Sequence, residues 1–217
     1  MAVGVAVVTA GLSLLGLGAA PFLDPPEGFH AAVAASVLRD GDWLTLHING
    51  VRYFDKPPLL YWLTAAVFGA GGPAEVLARL TPAAAAVGCA AVTAVLGVAL
   101  GGLRVGLLAG LMVAANLGTF LYGRIVKPDL PFIFLITLAY AGFALAYRGA
   151  GRWALALFYA SLGLATLTKD LLGAVGPLAV VALFLALTRE RPLAPWAPWW
   201  GIGLLAAVTL PWYVAVE

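Results

Sequence analysis

Charge is what this 217-residue chain has least of: Asp, Glu, Lys and Arg make up 10% of it, against 63% apolar residues. That is less than half the charge of an ordinary soluble domain. A water-solvated globule of this size needs a polar face on each surface helix, so a soluble fold is excluded. Cysteine is nearly absent as well. Cys89 stands alone inside an apolar run, which removes a disulfide framework and a cysteine-based metal site and leaves the residue as core packing. Basic runs, zinc-finger spacings and heptads are missing, and the net charge of +2 is too small for a nucleic-acid surface. No nucleic-acid partner is expected. The N-terminus lacks the positive region of a signal peptide, and its uncharged run from Met1 to Leu23 is longer than a signal core, so it reads as a retained first span.

What the chain does have is long uncharged windows: 1–23, 82–103, 105–123, 130–147, 153–168, 171–188 and 198–215. Most are long enough for a bilayer, and in lipid the backbone must satisfy its own hydrogen bonds, so all are expected to be helices. The windows at 153–168 and 171–188 are short and would stand nearly upright. An all-α integral membrane protein with a single transmembrane domain over 1–217 follows. Arg104, Arg148, Arg152, Arg189 and Arg191 occupy one set of short loops with Glu190 as their only acid, which makes that side cytoplasmic. The opposite face holds the outer loop 24–81, the turn from Arg124 to Asp129, and Lys169 with Asp170. It is mixed in sign, and chemistry is expected there.

The outer loop has structure of its own. In "DPPEGFHAAVAASVLRDG", Asp24 is followed by two prolines and by Glu27, a helix start with an acidic capping box. Phe29, Val33 and Val37 share one face, and Gly41 closes the helix. In "DKPPLLYWLTAAVF", Asp55 precedes Pro57 and Pro58, and the apolar run after them is too short to span. Tyr61 and Trp62 suit the interface there. Two amphipathic helices would thus form a shelf over the outer leaflet.

Asp24, Asp55 and Asp129 each precede a proline-containing helix start, and each taken alone reads as an N-cap. Capping does not account for their cationic neighbours: Lys56 beside Asp55, Lys127 and Arg124 near Asp129, Lys169 beside Asp170. Carboxylates gathered with Lys and Arg at a membrane boundary suit transfer of a group from a phosphate leaving group. The cations, with a divalent metal ion, neutralise the departing phosphate, and a carboxylate takes the proton of an incoming hydroxyl.

The stretch "EGFHAAVAASVLRDGDWLTLHINGVRYFDKPPLLYWLTAA" resembles the first outer loop of GT-C glycosyltransferases that use polyprenyl-phosphate sugars, the aminoarabinose transferases of lipid A and the protein O-mannosyltransferases among them. "GRIVKPDLPFIF", "LATLTKDLLG" and "LPWYVAVE" resemble later landmarks of that family in the same order. The resemblance implies a GT-C-like multispan bundle that moves a sugar from a polyprenyl-phosphate donor to a hydroxyl-bearing lipid or protein. It implies a periplasmic active face on a bacterial inner membrane, with membrane lipids as surroundings. By position, Asp55 falls where the family has a metal-associated acid, and Lys56 and Lys169 fall on donor-phosphate lysines, with Arg124 assisting. Asp129 falls on an acid of the second outer loop, Glu27 on the second acid of an early acidic pair, and His30 and Tyr53 line the site. The first acid of that pair falls on Pro26, which has no proton-accepting side chain. Asp24 or Glu27 would then supply the catalytic carboxylate with Asp129. His30 stands in place of a family tyrosine and Asp170 in place of a glycine. The chain is about half the family's length and reads as a fragment from its N-terminal part. Two other readings stay open: a catalytically inactive relative serving as a membrane scaffold, and a transporter, although no window has a charge at its middle.

Overall fold

The structure, a computed structural model, describes residues 1–23, 26–190 and 192–216. Its helices are α1 (Ala2–Leu14), α2 (Pro26–Asp40), α3 (Leu59–Gly71), α4 (Glu75–Ala114), α5 (Leu117–Tyr122), α6 (Asp129–Leu145), α7 (Arg152–Thr166), α8 (Leu172–Leu187) and α9 (Trp199–Val216). A two-stranded hairpin joins β1 (His47–Ile48) to β2 (Val51–Arg52). Three helical stretches, Glu75–Ala114, Asp129–Ala150 and Ala194–Val216, are long and apolar enough to cross a membrane; α1, α3 and α8 are shorter apolar helices.

α1 covers only part of the first uncharged window, because the helix ends at Leu14 and the chain turns at Gly16, whose φ is +69°. Irregular backbone at the edge of a bilayer leaves carbonyls in need of donors. Two arginines supply them. Arg79 Nη1 donates to Leu17 O and Ala20 O at 2.9 and 2.8 Å and its Nη2 to Pro21 O at 3.0 Å. Arg124 Nη2 donates to Leu12 O and Leu15 O, both at 2.6 Å.

The windows at 82–103 and 105–123 form one broken helix. α4 already begins at Glu75, with Pro82 inside it, and breaks at Gly102, where φ is +83°. Its two arms double back on each other. A Cβ on Gly106 would lie 2.5 Å from Ala94 O, and one on Gly97 would lie 2.7 Å from Gly106 Cα, so glycine is what lets these backbones touch. α5 follows, capped by Asn116 Oδ1, which accepts from the N–H groups of Gly118 and Thr119. α6, α7, α8 and α9 begin and end within two residues of the remaining windows. α6 continues into a π-helical turn, Ala146–Ala150.

Residues 26–74 form the two expected helices, α2 and α3. Val33 and Val37 of α2 are buried, Phe29 packs beside them, and Gly41 follows the helix with φ +69°. α3 packs on α2 and α4, and the core between them contains Leu46, Leu60, Ala65, Phe68, Ala78 and Val126. Tyr61 departs from the expected interfacial position. It is fully buried in this core, because α2 covers the face of α3 that would otherwise meet the headgroups. The hairpin was not foreseen either, although its turn is Asn49–Gly50 with both φ positive, the signature of a tight β-hairpin.

Candidate active site

Two ion pairs formed by the singled-out charges each place one member on the same cleft. Lys169, just after α7, donates from Nζ to Asp129 Oδ1 at 2.7 Å, where Asp129 opens α6. Lys56 Nζ lies 3.1 Å from Asp55 Oδ2 in the segment before α3. Asp55 and Lys169 both line a cleft of about 520 Å³, together with Phe54, Asp170, Trp212 and Tyr213. Backbone contacts hold these segments in register. Leu59 N–H donates to Leu167 O at 2.9 Å, tying the start of α3 to the end of α7. Trp212 of α9 donates from Nε1 to Leu44 O at 3.0 Å, and Trp62 Nε1 donates to Trp43 O.

The capping reading of two of the aspartates is corrected by this geometry. Pro58 and Pro128 precede α3 and α6, and neither helix start receives a side-chain cap bond. Asp55 is turned to Lys56 and to Tyr53, and Asp129 to Lys169.

His30 and Tyr53 stand beside the charges. His30 Nδ1 is 2.9 Å from Tyr61 Oη, the Tyr61 hydroxyl donates to Tyr53 Oη at 3.5 Å, and the Tyr53 hydroxyl donates to Asp55 Oδ2 at 3.4 Å. Phe29 meets both His30 and Tyr53 edge-on. Burial and then the Lys127 charge push the His30 imidazole below its ordinary range; Asp129 opposes them, Lys56 adds to them and Asp55 opposes again. Burial raises the Tyr53 phenol.

Glu27 and Arg124 are placed otherwise than expected. Glu27 is fully buried and faces Arg79: Nε donates to Oε1 at 2.9 Å and Nη2 to Oε2 at 2.7 Å, while Leu23 N–H and Val126 N–H supply the remaining bonds at 2.9 and 3.0 Å. Burial alone would raise this carboxyl; Arg79 and the two N–H groups outweigh it and hold it below the usual carboxylate range. All its acceptor capacity is directed to structure, and a substrate proton has no route to it. Arg124 Nη2 is bound to the carbonyls at the end of α1, and its guanidinium lies over the Phe120 ring. Asp24 lies outside the described residues. Among the described residues no three His, Cys, Asp or Glu side chains converge as a metal cage requires, and Asp55 is already paired with Lys56.

Sequence reading did not place Arg79, Tyr61, Trp212 or Tyr213 among the site residues. Arg79 carried a signal, since a lone Arg four residues into α4 needs a carboxylate to be buried.

The model of one family, dolichyl-phosphate-mannose-protein mannosyltransferase, matches residues 34–217. An uncharacterized protein of Aquifex aeolicus is 31% identical over 78% of this chain and 34% of its own length. The undecaprenyl phosphate-alpha-4-amino-4-deoxy-L-arabinose arabinosyl transferases of Shewanella sediminis and Pseudomonas paraeruginosa are 27% and 32% identical, covering 95% and 89% of this chain and 38% and 36% of theirs. The chain therefore spans little more than a third of these curated relatives. Crystal structures of ArnT from Cupriavidus metallidurans, apo and bound to undecaprenyl phosphate, superpose with a TM-score of 0.92 at 23% identity, over 99% of this chain and 41% of theirs. This likeness establishes the GT-C multispan fold. With its helical bundle and a family match over most of its length, the chain belongs to the dolichyl-phosphate-mannose-protein mannosyltransferase family of membrane proteins.

Proposed function

We propose that this chain belongs to a membrane glycosyltransferase that moves a sugar from a polyprenyl-phosphate donor to a hydroxyl acceptor, a lipid A-like glycolipid or a protein. The reaction takes place on the outer face of a bacterial inner membrane. The observation that carries this reading is that the Lys169–Asp129 and Lys56–Asp55 pairs each place one member, Lys169 and Asp55, in the lining of one cleft. Each lysine is held by a carboxylate, yet about a third of its side chain remains exposed, so each has donors to spare for a phosphate. An apolar cleft of about 660 Å³ between α3, α4, α6 and α7 has Leu59 and Pro131 in its lining, close in sequence to Lys56 and Asp129. It has the character a polyprenyl chain requires. The names of the Shewanella and Pseudomonas relatives, and undecaprenyl phosphate in the ArnT crystal structure, favour the same donor class.

In this reading the acceptor oxygen attacks the anomeric carbon as its bond to the phosphate oxygen breaks. Negative charge grows on the leaving phosphate, and Lys56 and Lys169 stabilise it most when the bond is nearly broken. Reconstitution of the full-length gene product in proteoliposomes with a radiolabelled polyprenyl-phosphate sugar tests this. Label should move to the acceptor, and Lys56→Ala or Lys169→Ala should reduce transfer by about a hundredfold, the scale of losing one charge-stabilising donor. Transfer that survives both changes would refute the phosphate assignment.

A second reading, an inactive relative acting as a scaffold, draws on one observation: Pro26 opens α2, and the neighbouring Glu27 is committed to Arg79. No transfer by the wild-type protein with any acceptor would favour it.

A further inference from the structure

We propose that His30 is the general base of the transfer reaction, its Nε2 accepting the proton of the acceptor hydroxyl. This rests on the glycosyl-transfer reading and assigns a step that reading leaves open. An attacking hydroxyl must lose its proton, and the carboxylates of the site are otherwise engaged. Asp129 is paired with Lys169 at 2.7 Å, Asp55 with Lys56 at 3.1 Å, Asp170 Oδ1 accepts the Leu172 N–H at 2.8 Å, and Glu27 is sealed by Arg79. Pro26 offers no acceptor. His30 lies one helical turn beyond Pro26 on α2, so both project from the same face of the helix. It is half-buried and close enough to Lys127, Asp129, Lys56 and Asp55 for all four charges to act on its ring.

The tautomer proposed for His30 is the one consistent with the chain of hydroxyls. An ionised carboxylate only accepts, so Asp55 fixes the direction of everything bonded to it. Tyr53 donates to Asp55 and Tyr61 donates to Tyr53. With Tyr61 donating to Tyr53, His30 is assigned the Nδ1–H tautomer, in which Nδ1 donates to Tyr61 Oη across the 2.9 Å contact. The tautomer that results leaves Nε2 as the acceptor nitrogen. Asp55 thus orients the base from three side chains away, through two tyrosines, as the third group of a nucleophile–base–orienter set does directly. The two hydroxyl links are long, as catalytic hydrogen bonds without substrate often are.

The step balances. The acceptor O–H loses its proton to Nε2, giving an imidazolium, while its oxygen bonds to the anomeric carbon. The bond from that carbon to the phosphate oxygen breaks, and its electron pair leaves with the lipid phosphate. The depressed affinity of His30 for protons keeps the base form present at neutral pH. Asp129 and Asp55 then compensate the new charge, while Lys127 and Lys56 favour its prompt release.

The test compares wild type and His30→Gln in the proteoliposome assay across pH, with polyprenyl phosphate binding measured in parallel. Wild-type kcat should fall on the acid side as His30 protonates, below the ordinary histidine range. His30→Gln should lower kcat by about a hundredfold or more, abolish that acid limb, leave polyprenyl phosphate affinity within twofold, and recover part of its rate with added imidazole. Tyr61→Phe should lower kcat less, without changing donor affinity. A His30→Gln enzyme within threefold of wild type, or one that keeps the acid limb, overturns the assignment and leaves the glycosyl-transfer reading standing. A wild type that transfers nothing overturns both.

Discussion

At the scale of single residues, the Glu27–Arg79 pair shows how a buried charge acquires a role its sequence position does not announce. Position alone placed Glu27 among catalytic acids; its partner lies 52 residues away, and only the fold brings them together. Glu27→Gln leaves the Arg79 guanidinium buried without a counter-charge and should cost about 3–5 kcal/mol of stability, measurable as a lowered unfolding midpoint in detergent. The sign of the pH dependence follows. A carboxyl held below its usual range contributes stability that is present above its unfolded pKa of about 4.3 and is lost as pH falls through the folded value. Acidification should therefore destabilise the wild type more than Glu27→Gln. Asp55, Lys56, Asp129 and Lys169 were legible as a set, because each joins a charge to a helix boundary on one face. Which lysine would meet which carboxylate was not, since that depends on how α3, α6 and α7 abut.

At the scale of elements, hydropathy located the helices and glycine decided their packing. The doubling back of α4 was visible only as an interruption at Arg104 between two uncharged windows. The close approach of its arms depends on Gly97 and Gly106, where a side chain would run into backbone. Gly106→Leu should lower stability by at least about 1–3 kcal/mol, whereas Gly176→Ala in α8, where a Cβ meets nothing within 4 Å, should be neutral or better; thermal unfolding of the two variants side by side checks this. Gly41 was legible as the end of α2 because a helix terminus so often requires positive φ. The early start of α4 was not legible, because Pro82 reads as a boundary and here lies within the helix.

At the scale of the whole molecule, charge divides the bundle into two ends. Leu100, Tyr147, Arg148 and Phe184 line one cleft, so the Gly102 turn, the π-helical turn and the end of α8 belong together, opposite the Lys169–Asp129 site. Cysteine placed at Gly149 should be labelled only from the cytoplasmic side and cysteine at Asp170 only from the outside. Buried Cys89 can be left in place for this membrane-impermeant labelling. Equal labelling of Gly149→Cys and Asp170→Cys from one side would contradict the orientation. Arg79 and Glu27 carry a consequence for how this fold can diverge. The backbone groups around Arg79 are carbonyls and those around Glu27 are N–H groups, so exchanging the two side chains would set acceptor against acceptor and donor against donor. Lineages that keep this arrangement must inherit the acid and the base in their present order, and a compensated charge swap is not an open evolutionary path.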